Sequence, residues 1–258
     1  MADWNSLQYL KFEKERTLPS VDLINRIRLS AEPEKILDIG CGPGNSSAQL
    51  KKAFSSAYVL GVDSSENMIA EAERSYKDID FRLFDASGDI SVLGTDFDLV
   101  FSNACIQWIP DHERLIPNML ECLKSGGMLA VQIPMNYEEP VHRIISETVR
   151  EEKWKKLFSR TRIFHTLTQS EYFDLLGSLC SDFSLWSTTY FHVMNSHDDI
   201  IEWYKSTGMK PYLEQLDASG REKFENEVRE KLTAAYPVQK NGQIIFRFPR
   251  FFFTAVKD

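Results

Sequence analysis

"KILDIGCGPGNSS", Lys35 to Ser47, is the stretch on which the reading of this chain turns. An apolar run leads into three glycines within five positions, Gly40, Gly42 and Gly44, and a helical pattern follows. A glycine-rich turn between a strand and a helix brings bare backbone N–H groups against a ligand. A dinucleotide fingerprint, GxGxxG, needs its third glycine at residue 45, where this chain has Asn45. The spacing is instead Asp38-x-Gly40-x-Gly42-x-Gly44, an acidic residue followed by GxGxG. A simple structural turn is the plainer reading of the same glycines.

Outward from that turn, strands and helices alternate. Helical pattern covers roughly 19–30 before the strand "KILDIG". Residues 46–54 read as a helix and "AYVLGVD" as a second strand. A helix over 65–76 takes Ser64 or Ser65 as its N-cap. "DFRLFD" and "FDLVFSN" are a third and a fourth strand, the helix 111–124 stops at "SGG", and "MLAVQIP" is a fifth strand. This alternation predicts a parallel sheet covered on both faces. The last hundred residues change rhythm: helical patterns at 138–158, 168–180, 197–206 and 217–235, a strand "SLWSTTYFHV" and a last strand "IIFRFPRFFFTAV". There is no repeat, low-complexity tract or clear linker, so a single domain over 1–258 is expected.

Polar residues recur where the early strands end. Asp63, followed by Ser64, closes the second strand, and a carboxylate there accepts both hydroxyls of a ribose. Asp85, followed by Ala86, closes the third, and Asn103 the fourth. Each alone reads equally well as a turn or cap residue. Together with Asp38 they line the C-terminal edge of one sheet, where open α/β sheets bind ligands.

Composition narrows the partners. The 258 residues are 43% hydrophobic and 26% charged, with a formal net charge of −8. That balance argues against nucleic acid or an anionic membrane as the main partner. Cys41, Cys105, Cys122 and Cys180 form no CxxC pair or metal-spaced cluster and read as free thiols in a reducing cytoplasm. No apolar run reaches the ~18 residues of a membrane span. The first residues carry charges where a signal peptide needs an apolar core.

The spacing Asp38-x-Gly40-x-Gly42-x-Gly44 resembles motif I of class I S-adenosylmethionine-dependent methyltransferases. Longer blocks resemble bacterial trans-aconitate methyltransferases: "DWNSLQYLKFEKER", "SNACIQWIPDH", "LAVQIP", "TTYFHVM", "IIEWYKSTGMKPYL" and "YPVQKNGQIIFRFPRFFF". They run from residue 3 to about 254. The resemblance implies a Rossmann-like seven-stranded sheet with an antiparallel last strand and a helical lid insert at 195–243. It implies methyl-ester formation on a small polycarboxylate, with S-adenosylmethionine as cofactor. It places Asp85 at the adenine amino group and Asn103 over the methionine part. Residues 150–165 match none of these blocks, which leaves the acceptor less defined than the reaction.

The implied chemistry asks for positioning. A carboxylate, with a usual pKa of about 4, is already ionised at neutral pH and needs no general base. Neither a catalytic residue nor a metal is expected; alignment of the reactants supplies roughly 7–11 kcal/mol. A polycarboxylate needs cations or hydrogen-bond donors. Arg247 and Arg250 open the last strand, and Arg250 shares a face with Phe246, Phe248 and Phe252, so its burial is expected. Pro249 between them reads as a bulge. Structural ion pairing is the plainer reading of both arginines. His142 follows Pro140 near a helix start, while Tyr190 and His192 alternate late in the sixth strand. Surface exposure and core packing are their respective plainer readings. Trp108 walls the transfer site or simply packs. The aromatic "WNSLQYLKF" folds over the cofactor or covers a sheet face. Two other readings stay open: a methyltransferase of another small acid or metabolite, and a binding module that keeps the nucleoside site without turnover. Asn45 disfavours a nicotinamide dehydrogenase.

Overall fold

A computed structural model describes residues 13–205 and 207–258 of the chain, and the segment "WNSLQYLKF" lies outside them. The helices are α1 (Glu13–Ile24), α2 (Asn45–Ala53), α3 (Glu66–Ser75), α4 (His112–Glu121), α5 (Pro140–Arg150), α6 (Glu152–Lys155), α7 (Gln169–Leu179), α8 (His197–Lys205), α9 (Lys210–Leu213) and α10 (Ala218–Ala235). The strands are β1 (Lys35–Ile39), β2 (Tyr58–Asp63), β3 (Asp80–Leu83), β4 (Phe97–Asn103), β5 (Leu123–Pro134), β6 (Asp182–Met194) and β7 (Ile244–Val256). They form one seven-stranded sheet in the order β3-β2-β1-β4-β5-β7-β6. β1 pairs in parallel with β2 and β4, and β4 with β5, whereas β7 is antiparallel to β5.

Residue contacts fall into two compact units. One comprises the described residues up to Pro134 with Phe164–Thr188 and Arg250–Asp258; the other is Met135–Ile163 with Thr189–Pro249. In the first unit the central strands are buried on both faces. Ile36, Leu37, Ile39, Leu99, Val100, Phe101, Leu129 and Val131 are all inaccessible, as a covered parallel sheet requires. In the second unit α8 and α10 bury Ile200, Trp203, Phe224, Val228 and Leu232. Its aromatic side chains meet edge to face, with Trp154 and Phe224 centroids 5.1 Å apart and Phe158 and Tyr212 5.3 Å apart. Such pairs each add about 0.5–1.5 kcal/mol beyond area burial. The expected insert 195–243 is made of α8, α9 and α10, all in this unit.

Several features differ from the expectations. The helix expected at 111–124 ends at Glu121, and β5 begins at Leu123, five residues before the expected strand and through the "SGG" read as a helix stop. α1 begins six residues earlier and runs through Pro19, which reads as a helix start in sequence. The helical pattern at 138–158 is split at Glu151, whose ψ of 146° is extended and caps both α5 and α6. The β5–β7 pairing keeps its register from Val256 to Arg250, with no bulge on that side of Pro249. β7 continues through it, with Phe246, Phe248, Arg250 and Phe252 all buried in alternation, and the Pro249 carbonyl accepts from Met135 N–H at 3.1 Å.

Candidate functional site

The turn after β1 is tied on three sides. Gly40 N–H and Cys41 N–H both donate to Val62 O, at 2.8 and 3.0 Å, which holds the turn to the end of β2. Gly42 N–H donates to Asp63 Oδ2 at 3.0 Å, and Asp63 Oδ1 accepts from Ser65 N–H at 2.9 Å. Ser65 in turn caps α3 by accepting from Met68 N–H. Asp63 thus organises the loop and its own strand end together.

The three glycines have different reasons. A Cβ on Gly40 would lie 2.1 Å from Cys105 Sγ, and one on Gly44 2.6 Å from the Tyr76 ring, so both are needed for packing. A Cβ on Gly42, at φ +55°, would meet nothing within 4 Å among the described residues. Gly42 is therefore the one of the three glycines that no described side chain crowds.

Asp38 lies wholly buried under this turn. Its Oδ2 accepts from both Ser46 Oγ and Ser47 Oγ at 2.6 Å, at the start of α2. Its Oδ1 is buried with no partner among the described residues. Burial raises the carboxyl pKa to about 6; the two serine hydroxyls oppose that shift and the charge of Asp63 adds to it. The folded state therefore holds this proton more tightly than the unfolded chain, whose carboxyl keeps the usual value of 3.8. The stability that the tighter proton gives is present in acid and is lost as the pH rises from about 4 to 6. Above that, ionised Asp38 leaves the ligand-free protein less stable by about 3 kcal/mol than with the proton retained. Asp38→Asn is thus expected to stabilise the ligand-free protein, by an amount that grows between pH 4 and 6 and then levels off. Thermal melts at pH 4.5, 6 and 8 check this; a gain independent of pH would contradict it.

Along the same sheet edge, Asp85 is exposed and its Oδ1 accepts from Ser87 N–H at 2.9 Å, while Ala86 beside it is buried and Ser64 is exposed. Asn103 is half-buried at the end of β4, and its Oδ1 is buried without a partner among the described residues. The following loop starts and stops on left-handed residues, Ala104 at φ 55° and Asp111 at φ 58°. Aspartate tolerates that conformation, whereas for alanine it costs about 1–2 kcal/mol. His112, buried by α4, holds the loop. Its Nε2 faces the carbonyls of Ile106 and Ile109 at 2.9 and 3.0 Å, so it donates there, and Nδ1 accepts from Tyr172 Oη. Burial, partly offset by those carbonyls, pushes the His112 pKa down. Trp108, half-buried, stands on this clamped loop.

The expected acceptor residues divide. Arg250 is buried in the first unit, with Nη1 donating to Gln132 Oε1 at 3.2 Å. Gln132 was missed in sequence, although a glutamine inside "MLAVQIP" is itself a signal. Arg247 is more than half exposed and faces Glu139 Oε1 at 3.7 Å. In the second unit Tyr190 and His192 are both buried, and His192 stacks on Trp203 with centroids 5.0 Å apart. His142 is buried there too: Asn136 Nδ2 donates to Tyr204 Oη, and that hydroxyl meets His142 Nε2, each at 3.1 Å. Burial, reinforced by the Arg162 charge, holds the His142 pKa well below 6.5. Arg162 comes from the stretch that matched no block; its N–H donates to Tyr212 Oη at 3.1 Å.

Among the described residues no helix is long and apolar enough to cross a membrane. The family model "Methyltransferase domain" matches residues 36–127, from β1 to the middle of β5. A solved phosphoethanolamine N-methyltransferase 2 of Haemonchus contortus, in complex with phosphomonomethylethanolamine and S-adenosylhomocysteine, shares the fold: TM-score 0.58 and 18% identity over 99% of this chain and 58% of that one. The trans-aconitate 2-methyltransferase of Rhodopseudomonas palustris (strain BisB5) is 39% identical, covering 100% of both chains. That of Methylobacterium nodulans is 40% identical over 99% of this chain and 98% of its own. Identity at this level from end to end, on a sheet with the strand order and antiparallel β7 described above, means that the chain belongs to the trans-aconitate 2-methyltransferase family.

Proposed function

We propose that this chain transfers the methyl group of S-adenosylmethionine to a carboxylate of trans-aconitate. The end-to-end likeness to relatives of that name carries the reading. The turn after β1 fits the cofactor: among the described residues, nothing crowds Gly42, and the buried Oδ1 atoms of Asp38 and Asn103 have no partner. Asp38, Gly40, Gly42, Gly44, Asp63, Ser64, Asp85, Ala86 and Asn103 are the residues proposed to hold it. Bound S-adenosylmethionine supplies an electrophilic methyl carbon on a sulfonium, which an ionised carboxylate takes up without a base. The protein's task is then to bind, orient and exclude water. Neutral His142 and the donors of Arg250, with Trp108, Tyr190, His192 and Arg247, are the proposed acceptor contacts. We treat the two units as one methyltransferase domain, because β6 and β7 each begin in one and end in the other. The four free thiols support a reducing, cytoplasmic setting.

Incubating the protein with methyl-labelled cofactor and a panel of di- and tricarboxylic acids tests the reading by mass spectrometry. A labelled monomethyl ester of trans-aconitate is expected, and fragmentation locates the ester. Label on another acid alone would sink it. Asp63→Ala is expected to weaken S-adenosylhomocysteine binding by roughly 1.5–3 kcal/mol, the range for charged hydrogen bonds. Part of that loss comes from freeing Gly42 N–H, so Asp63→Asn should recover some of it. Calorimetric titration reads both variants, and unchanged affinity in a folded Asp63→Ala protein counts against the assignment.

A further inference from the structure

Gln132 is wholly buried in β5, between the buried apolar residues Val131 and Ile133. A glutamine there has to use both ends of its amide. Arg250 offers donors only, so the amide oxygen must face it, and Nη1 donates to Gln132 Oε1 at 3.2 Å. That contact turns Nε2 away from the guanidinium. Nε2 is buried and has no partner among the described residues. In the sheet register Gln132 is level with Asn103 on one side and Phe252 on the other, and Pro134 with Arg250. Arg250 is two residues from Phe252, so Asn103, Gln132 and Arg250 emerge on one face.

We propose that Gln132 Nε2 and the Arg250 guanidinium form a fork that receives a carboxylate, which makes Gln132 a specificity-determining residue. Two N–H donors from neighbouring strands, one on a cation, suit a planar anion with two acceptor oxygens. The inference rests on the reading that the acceptor is a polycarboxylate. The methionine carboxylate of the cofactor has the same chemistry. β7 lies three strands from β1 in the sheet order, about 14 Å at the usual strand spacing. That distance from the glycine turn favours the acceptor.

The test is titration of trans-aconitate, citrate and tricarballylate into the full chain loaded with S-adenosylhomocysteine, for the unaltered protein, Gln132→Leu and Gln132→Glu. Gln132→Leu is expected to weaken acid binding about 10- to 100-fold. Its S-adenosylhomocysteine affinity should be unchanged; its melting temperature should fall, because buried Arg250 Nη1 loses its acceptor, so a melt must show that it is folded at the titration temperature. Gln132→Glu should pair its own carboxylate with Arg250 and abolish acid binding. If Gln132→Leu instead loses S-adenosylhomocysteine affinity but keeps that for 5′-methylthioadenosine, the fork stands and holds the methionine carboxylate. Unchanged affinity for every ligand in a folded Gln132→Leu protein overturns it. If the unaltered protein methylates no trans-aconitate, the proposed function fails, and the acid titrations still decide the fork.

Discussion

Arg250→Ala is expected to raise KM for trans-aconitate by about two to three orders of magnitude while S-adenosylhomocysteine binds as before. The guanidinium is buried in the first unit, where its Nη1 meets Gln132 Oε1. Its loss leaves a bound carboxylate desolvated and without its cation, which costs about 2–5 kcal/mol. The cofactor turn lies on β1 and β2, separated from β7 by β4 and β5. Arg250→Lys should recover little, because an ammonium cannot present two parallel donors. The alanine variant also opens a cavity in β7 and strands the Gln132 oxygen, so a thermal melt must show that it folds. Normal kcat and KM in a folded Arg250→Ala protein would end this assignment. The stretch carrying Arg160, Arg162 and His165 would then be the next place to look.

Gly42→Val is expected to abolish cofactor binding and leave most of the fold. The added Cβ meets nothing within 4 Å among the described residues. The backbone at φ +55° does oppose a β-branched residue, at about 1–2 kcal/mol or somewhat more. A protein of ordinary stability tolerates a loss of that size. The new methyls occupy the space proposed for the cofactor, so titration with S-adenosylhomocysteine should show no heat. Gly40→Ala is the contrasting control. Its Cβ falls 2.1 Å from Cys105 Sγ, so it should lower the melting temperature first. Binding by Gly42→Val at normal affinity would make the turn merely structural.

Much of this was legible in sequence because period and punctuation are local. β1, β2 and β4 are apolar runs that end on Asp63 or Asn103 or run into the glycine turn, and β7 is found at residues 244–256 as expected. The burial of Arg250 followed from its shared face with three phenylalanines. What sequence could not show is which polar groups face one another. Gln132 meets Arg250 across 118 residues of chain, and Asn136 meets Tyr204 across 68. No spacing rule reaches that far. The three glycines also looked equivalent, and only their neighbours separate Gly42 from Gly40 and Gly44. Arg247 illustrates the opposite case: one position out of phase with Arg250's face, it ends exposed beside Glu139.

Two carboxylates sit at one turn: Asp38 beneath it, with an oxygen that has no partner among the described residues, and Asp63 at its side. Their joint field discriminates by charge. S-adenosylmethionine enters as a sulfonium cation, while S-adenosylhomocysteine leaves as a neutral thioether. The same negative pair that draws the first has less hold on the second. On the proposed assignment, transfer of the methyl group itself weakens the attraction between the turn and what remains, which favours release of the spent cofactor over its retention.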